Sequence, residues 1–134
     1  MKDRRQWMMV LVVFSVLLAA SGCSLFTTVV RDADDGAFLK LDIGDLVEIR
    51  LEGTPSSGYE WVRIDPASLE GGPLEAVSEA EIQDTDGHVV GAPCTYAFRY
   101  RAIRAGTIVL TFVHRRAWEP DEPIDTYSVT VWVR

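Results

Sequence analysis

The chain has 134 residues and a formal net charge of −7. Its length allows one domain with a hydrophobic core and is too short for two domains of ordinary size. An acidic chain without a basic run is repelled by phosphate, which argues against nucleic-acid binding. The sequence contains no long low-complexity stretch and no internal repeat.

The first 22 residues have the pattern of an export signal. A short basic start precedes an apolar run from Trp7 to Ala20, which fits a signal h-region and is shorter than the roughly 20 residues of a membrane-spanning helix. Small residues then precede Cys23, an arrangement that resembles a bacterial lipobox, although Ala20 stands where leucine is more usual. In a lipobox Cys23 would be lipidated and become the first mature residue. The alternative is an ordinary cleaved signal with Cys23 nearby by chance.

These features predict three segments: a lipoprotein signal peptide at 1–22, a lipidated cysteine with a polar tether at 23–37, and a folded domain at 38–134. Residues 1–22 carry three basic side chains and one acidic one, so the mature chain has a net charge of −9. Acyl chains would anchor it to a membrane. By resemblance to bacterial sorting rules, Ser24 after the cysteine favours the outer membrane. We therefore expect a lipid-anchored protein of the bacterial cell envelope, facing the periplasm.

Cys94 is the one cysteine left in the mature chain, so the fold cannot depend on an internal disulfide. Its favoured interpretation is a small, half-buried hydrophobic residue in a monomer. The alternative is an accessible thiol that links two copies.

The mature chain has the alternating pattern of β-strands, with apolar residues on one face and polar residues on the other. The clearest strands centre on Ile49, Phe98, Leu110 and Val129, and weaker ones are predicted at 38–42, 59–64 and 74–83. No stretch has a sustained helical apolar stripe. About seven short strands separated by Gly/Pro turns predict an all-β protein, an immunoglobulin-like antiparallel β-sandwich.

Little in the sequence points to an enzyme. The two histidines, His88 and His114, belong to no spacing that suggests a metal site, and we expect both to be solvated or partly buried imidazoles. The carboxylates are scattered, and no glycine-rich loop precedes a helix. We therefore predict no catalytic residues, no metal and no cofactor.

Three connections between strands are unusual instead. The first combines a proline, two serines and flanking glycines, which makes it short and stiff. The second precedes the strand around Phe98, and the third places a tryptophan beside arginines, which suits an interface anchor. The residues that they contribute are Thr54, Pro55, Ser56, Ser57, Gly58 and Tyr59, then Gly91, Ala92, Pro93 and Cys94, and finally Arg116 and Trp118.

Taken in this order, the three connections resemble the loops of chagasin-like inhibitors of papain-family cysteine peptidases. The first family loop is Asn-Pro-Thr-Thr-Gly-(Tyr/Phe)-x-Trp, and residues 54–61 match it with conservative changes except that Thr54 replaces Asn. The second is glycine-rich, and here Cys94 stands where glycine is common. The third is Arg-Pro-Trp, and here Ala117 replaces the proline. The resemblance covers roughly residues 38–134.

The resemblance implies a reversible, non-covalent inhibitor that occludes the cleft of a papain-like cysteine peptidase with three neighbouring loops. Pro55 to Gly58 would lie over the catalytic cysteine of the peptidase, Gly91 to Cys94 along one side of the cleft, and Arg116 with Trp118 along the other. Two alternatives remain open at this stage: Trp118 could fill the core as we expect Trp61 to do, and the domain could be an envelope module that binds a non-peptidase protein or glycan.

Overall fold

The computed structural model describes residues 26–64, 69–84 and 91–134. The predicted signal peptide, Cys23 and His88 lie outside these residues. The described chain forms eight strands: β1 (Thr27–Arg31), β2 (Ala37–Leu41), β3 (Leu46–Gly53), β4 (Tyr59–Ile64), β5 (Leu74–Asp84), β6 (Cys94–Ala102), β7 (Gly106–Arg116) and β8 (Asp125–Val133). Two short 3-10 turns, Asp32–Asp34 and Pro55–Ser57, lie between strands. In the described ranges no helix is long and apolar enough to cross a membrane.

The strands form two four-stranded sheets, with the orders β1-β3-β6-β5 and β2-β8-β7-β4. Most neighbours are antiparallel, whereas β1 pairs with β3 and β2 with β8 in parallel. One hydrophobic cluster joins the two sheets, and the rings of Phe98 on β6 and Phe112 on β7 lie 4.6 Å apart, centroid to centroid. The prediction of an all-β sandwich is confirmed, with eight strands in place of about seven.

The apolar faces of the strands meet in this core as the alternation predicted. Ile49, Phe98, Leu110 and Val129 are at most 1% exposed. Tyr100, Phe98 and Phe112 are the largest fully buried side chains, and aromatic side chains bury about 150 to 250 Å² each. The resulting stiff sandwich holds the ends of its strands, and therefore its loops, in fixed positions.

Strand β1 lies inside the segment that was predicted to be a tether. Its β-branched residues pair in register with β3, and Val30 is only 4% exposed because it belongs to the core cluster. Parallel pairing joins strands that are not joined by a hairpin turn, so no local sequence signal marks it. In the described part of the chain, β-structure is thus already present at Thr27–Arg31, within the segment 23–37.

The alternating pattern predicts that Glu48 lies on the solvent-facing side of β3, but its side chain is buried and only 5% of the residue is exposed. Its carboxylate accepts hydrogen bonds from the guanidinium groups of Arg50 and Arg99. Burial acts to raise the pKa of Glu48, but these two arginines outweigh it and hold the pKa below its usual range. On the outer face of β3, Glu48 is thus covered by arginine side chains from β3 and β6, whereas Glu52 farther along the same face is open to water.

The strand directions give the sandwich two distinct ends. At the first, which we call the loop end, β3 and β7 finish and β4, β6 and β8 begin. At the second, which we call the turn end, the short connections 42–45 and 103–105 join β2 to β3 and β6 to β7. All three unusual connections lie at the loop end.

Candidate functional site

The first connection is a tight turn held by its own hydrogen bonds. The backbone N–H and the hydroxyl of Ser57 both donate to the carbonyl of Thr54, over 3.0 and 2.6 Å, and the N–H of Gly58 donates to the carbonyl of Pro55 over 3.0 Å. Gly58 has a φ of 79°, a left-handed conformation that glycine adopts without strain. The chain is therefore bent over Pro55–Ser57 and then turns back into β4.

Strand register brings the three connections together. Gly53, where the first connection leaves β3, is the cross-strand partner of Cys94, where the second connection enters β6. Tyr59, where the first connection enters β4, is the partner of Arg116, where the third leaves β7. The first connection is thus central, with the second on one side and the third on the other. We call this arrangement of residues 53–59, 91–94 and 116–120 the loop edge.

Trp118 lies across the first connection and is still 66% exposed. Its indole covers Gly58 so closely that a Cβ atom there would lie 2.7 Å from the indole Cη2. The guanidinium of Arg116 lies 4.5 Å from the ring centroid of Tyr59 and 5.7 Å from that of Trp118. Trp118 therefore does not fill the core. Its indole presents a large apolar surface to solvent and is oriented by the neighbouring residues.

Trp61 points into the core, as predicted, and is 4% exposed. Its indole N–H donates to the carbonyl of Glu52 over 2.8 Å, which ties β4 to the end of β3. His114 stacks on this indole, with ring centroids 4.8 Å apart and planes 7° from parallel. Trp61 thus supports the loop edge from beneath.

His114 is a residue of the site that the sequence did not reveal. With Thr54, Ser57, Pro93 and Ile124 it lines a shallow groove between the connections. Burial lowers the pKa of His114, while the carboxylates of Asp125 and Asp32 act in the opposite direction. The imidazole is thus disposed to be neutral near pH 7, and its Nε2 is buried without a hydrogen-bond partner among the described residues.

Ile124 was also missed. It is 59% exposed, and its N–H donates to the carbonyl of His114 over 2.8 Å. This bond places an apolar side chain from the segment before β8 next to the first connection. The sequence signal for Ile124 was a single large apolar residue between Pro123 and Asp125. Its place beside the first connection, however, depends on how β7 pairs with β8.

The remaining predicted site residues are accessible at the loop edge with one exception. Cys94 is 3% exposed and belongs to the core cluster, so its side chain is not available to a partner and only its backbone could contribute. This burial agrees with its interpretation as a small hydrophobic residue. The residues whose side chains or backbone reach solvent at least in part are Thr54, Pro55, Ser56, Ser57, Gly58, Tyr59, Gly91, Ala92, Pro93, Arg116 and Trp118. Within the described ranges no three His, Cys, Asp or Glu side chains are grouped so that they could hold a metal ion.

Comparison with known protein families gives a match over most of the folded chain. Residues 40–131 match the model of the chagasin family peptidase inhibitor I42. The chain is 30% identical over 107 residues to chagasin from Trypanosoma cruzi, an alignment that spans 75% of this chain and 92% of chagasin.

Solved structures share the fold. The cysteine protease inhibitor EhICP2 from Entamoeba histolytica superposes with a TM-score of 0.71 at 24% identity, covering 84% of this chain and 100% of that one. PbICP-C, solved in complex with falcipain-2, superposes with a TM-score of 0.51 at 17% identity, covering 82% and 91%.

The sandwich and the family match define the class of this protein, which is a protein inhibitor of peptidases and not an enzyme. The chain belongs to the chagasin family.

Proposed function

We propose that the loop edge is the surface with which this inhibitor of papain-like cysteine peptidases fills the cleft of its target. The observation that carries the proposal is the cross-strand register, Gly53 with Cys94 and Tyr59 with Arg116, which gathers three separate connections into one edge. A rigid sandwich loses little conformational freedom when such an edge binds, and preorganisation of this kind lowers the cost of association. The expected interface is about 1,600 Å² in total, the standard size for peptidase–inhibitor pairs.

The first connection blocks the catalytic cysteine without being cleaved. Nucleophilic attack needs an extended segment that presents a carbonyl to the thiolate, but the chain over Pro55–Ser57 is bent into a 3-10 turn whose own hydrogen bonds hold it in that form. The exposed side chains of Ser56 and Ser57 are small, which allows close approach to the bottom of a cleft. Inhibition is therefore steric and reversible, and no covalent intermediate forms.

The flanking connections supply the anchors. The exposed indole of Trp118 offers a broad, rigid apolar area to one wall of the cleft, and Arg116 offers hydrogen-bond donors beside it. On the other side Gly91, Ala92 and Pro93 form a short segment of small residues that can lie along the opposite wall. Ile124 and the groove beside it extend the apolar surface next to the first connection.

We also propose that Cys23 carries acyl chains and that the mature protein is held at the outer membrane of a bacterial envelope, facing the periplasm. The support is the basic start, the apolar run and the small residues before Cys23. We expect a monomer, because Cys94 is buried and a disulfide to a second copy would require the core to open.

The test of the inhibitory function is a titration of papain with the mature chain carrying Cys23→Ser, with and without reductant. We expect competitive inhibition that reductant does not alter. Trp132→Ala is the matched control for Trp118→Ala, since Trp132 is also partly exposed but lies on β8, near the turn end. Absence of inhibition at micromolar protein would contradict the proposal and favour an envelope module with a different partner. Such a module would also tolerate Ser56→Trp, which the peptidase-binding role forbids.

A further inference from the structure

The turn end of the sandwich carries three large apolar side chains that face solvent. Phe26 is 65% exposed, Ile43 is 59% exposed and Ile103 is 41% exposed. They come from three different segments: Phe26 directly precedes β1, Ile43 lies in the β2–β3 turn and Ile103 lies in the β6–β7 turn. Short turns of a soluble domain are normally polar, so three such residues at one end need an explanation.

Backbone hydrogen bonds bring these segments together. The N–H of Leu46 donates to the carbonyl of Phe26 over 3.0 Å, which fixes Phe26 next to the end of the β2–β3 turn. Within that turn the N–H of Gly44 donates to the carbonyl of Ala102 over 2.8 Å, which brings Ile43 near Ile103. The three residues therefore lie on adjoining segments at one end of the sandwich, and we call them together the apolar tip.

We propose that the apolar tip docks on the lipid surface to which the chain is anchored. The inference rests on the lipid anchor at Cys23 that is proposed above. Cys23 stands three residues before Phe26, and three residues of fully extended chain span at most about 11 Å. Acyl chains on Cys23 therefore hold the apolar tip within one headgroup layer of the membrane, whatever path the intervening residues take.

The charges at the turn end permit this contact. The mature chain has a net charge of −9, which on its own would oppose approach to an anionic membrane. At the turn end, however, Asp42 pairs with Arg134 over 2.7 Å, and the β6–β7 turn carries a second cation, Arg104, which donates to the carbonyl of Gly71 over 2.6 Å. The two aspartates of the β2–β3 turn, Asp42 and Asp45, are thus accompanied at this end by two arginines, Arg104 and Arg134.

Docking at this end sets the orientation of the inhibitor. Strand β3 runs from the turn end to the loop end over eight residues, a length of about 27 Å at the rise of an antiparallel strand. With the apolar tip on the bilayer, the loop edge lies at the far side of the domain and faces away from the lipid. A peptidase can then reach it without approaching the membrane.

The experiment uses the full lipidated chain in vesicles of phosphatidylethanolamine and phosphatidylglycerol. Ile43→Cys and, as matched control, Val109→Cys are labelled with an environment-sensitive nitrobenzoxadiazole dye. Val109 is 55% exposed and lies on the outer face of β7, three residues after Gly106, which places it about 10 Å along the strand from the turn end. The unsubstituted chain gives the background labelling of the buried Cys94. We expect a blue-shifted emission that brominated lipid quenches at position 43, and a water-exposed emission at position 109.

A dye at position 43 that is as exposed to water as the dye at position 109, in protein that floats with the vesicles, would overturn the docking while leaving the anchor intact. Protein that fails to float would refute the anchor and the docking together. Papain titration of the same samples reports independently on folding and on the inhibitory function. In a second variant, Phe26→Ser with Ile103→Ser should abolish the lipid quenching at position 43, whereas Val109→Ser should leave it unchanged.

Discussion

The variant Gly58→Ala distinguishes the contribution of the first connection to stability from its proposed contribution to peptidase binding. Two penalties follow from the structure. The φ of 79° at Gly58 places an added Cβ in the left-handed region, which costs about 1 to 2 kcal/mol in stability. The added Cβ would also lie 2.7 Å from the indole Cη2 of Trp118. Because carbon atoms prefer separations of about 3.5 to 4.0 Å, the indole has to move by roughly 1 Å.

The indole is exposed and can rotate away, so the steric penalty falls on binding and not on folding. If Trp118 is an anchor, its displacement weakens inhibition by about 2 kcal/mol, which corresponds to roughly 30-fold in the inhibition constant. The measurements are a urea unfolding curve and a papain titration for each variant. Gly58→Ala should also add little to the loss caused by Trp118→Ala, because both remove the same contact.

Gly71→Ala is the matched control. Gly71 has a φ of +67° and nothing within 4 Å of an added Cβ, and it lies away from the loop edge. The control should lose about the same stability, roughly 1 kcal/mol, and keep full inhibition. If Gly58→Ala and Gly71→Ala inhibited papain equally well, the contact between Trp118 and the first connection would have no part in binding and the reasoning would be refuted.

Three further predictions concern the same edge. Trp118→Ala should weaken papain binding by about 2 kcal/mol and keep a cooperative melt, because the indole is largely exposed; loss of that melt would place it in the core. Thr54 makes no side-chain capping bond to the first connection. Thr54→Asn should therefore raise the unfolding free energy by about 0.5 kcal/mol and should also tighten inhibition. An unchanged urea midpoint would contradict the first of these expectations. Burial lowers the pKa of His114, so the unfolded chain binds its proton more readily and stability should fall as pH drops below about 6.5. In melts at pH 7 and pH 5, His114→Gln should reduce that decrease, and an unchanged decrease would exclude the imidazole as a contributor.

Alternation along the chain was sufficient to predict the strands that pack by their own apolar faces. Strands around Ile49, Phe98 and Val129 have three or four inward positions each, and all of these proved buried. Strand β1 was not predicted, since five residues with a single buried position give too little pattern. The burial of Glu48 was also not predicted, because Arg99 on β6, whose guanidinium covers the carboxylate, is 51 residues away in the sequence.

The candidate site was predictable where it consists of contiguous residues. The three connections could be picked out by their proline, glycine and tryptophan content, and their resemblance to one family predicted that they would be neighbours. His114 and Ile124 could not be found in this way. Their place in the groove depends on which residues of β7 and β8 oppose each other, and register is fixed by the packed sheet rather than by local sequence.

The parallel pairing of β2 with β8 has a consequence for how the chain folds. Phe38 pairs with Thr130. The sheet that carries β4 and β7 therefore gains β2, one of its two edge strands, only when a segment from the beginning of the domain meets one about 90 residues later in the chain. Contacts between such distant segments close slowly, because the entropy of a large loop is lost before any native interaction is gained. The domain should therefore acquire its structure late and all at once, after synthesis of β8, instead of strand by strand from its first residue.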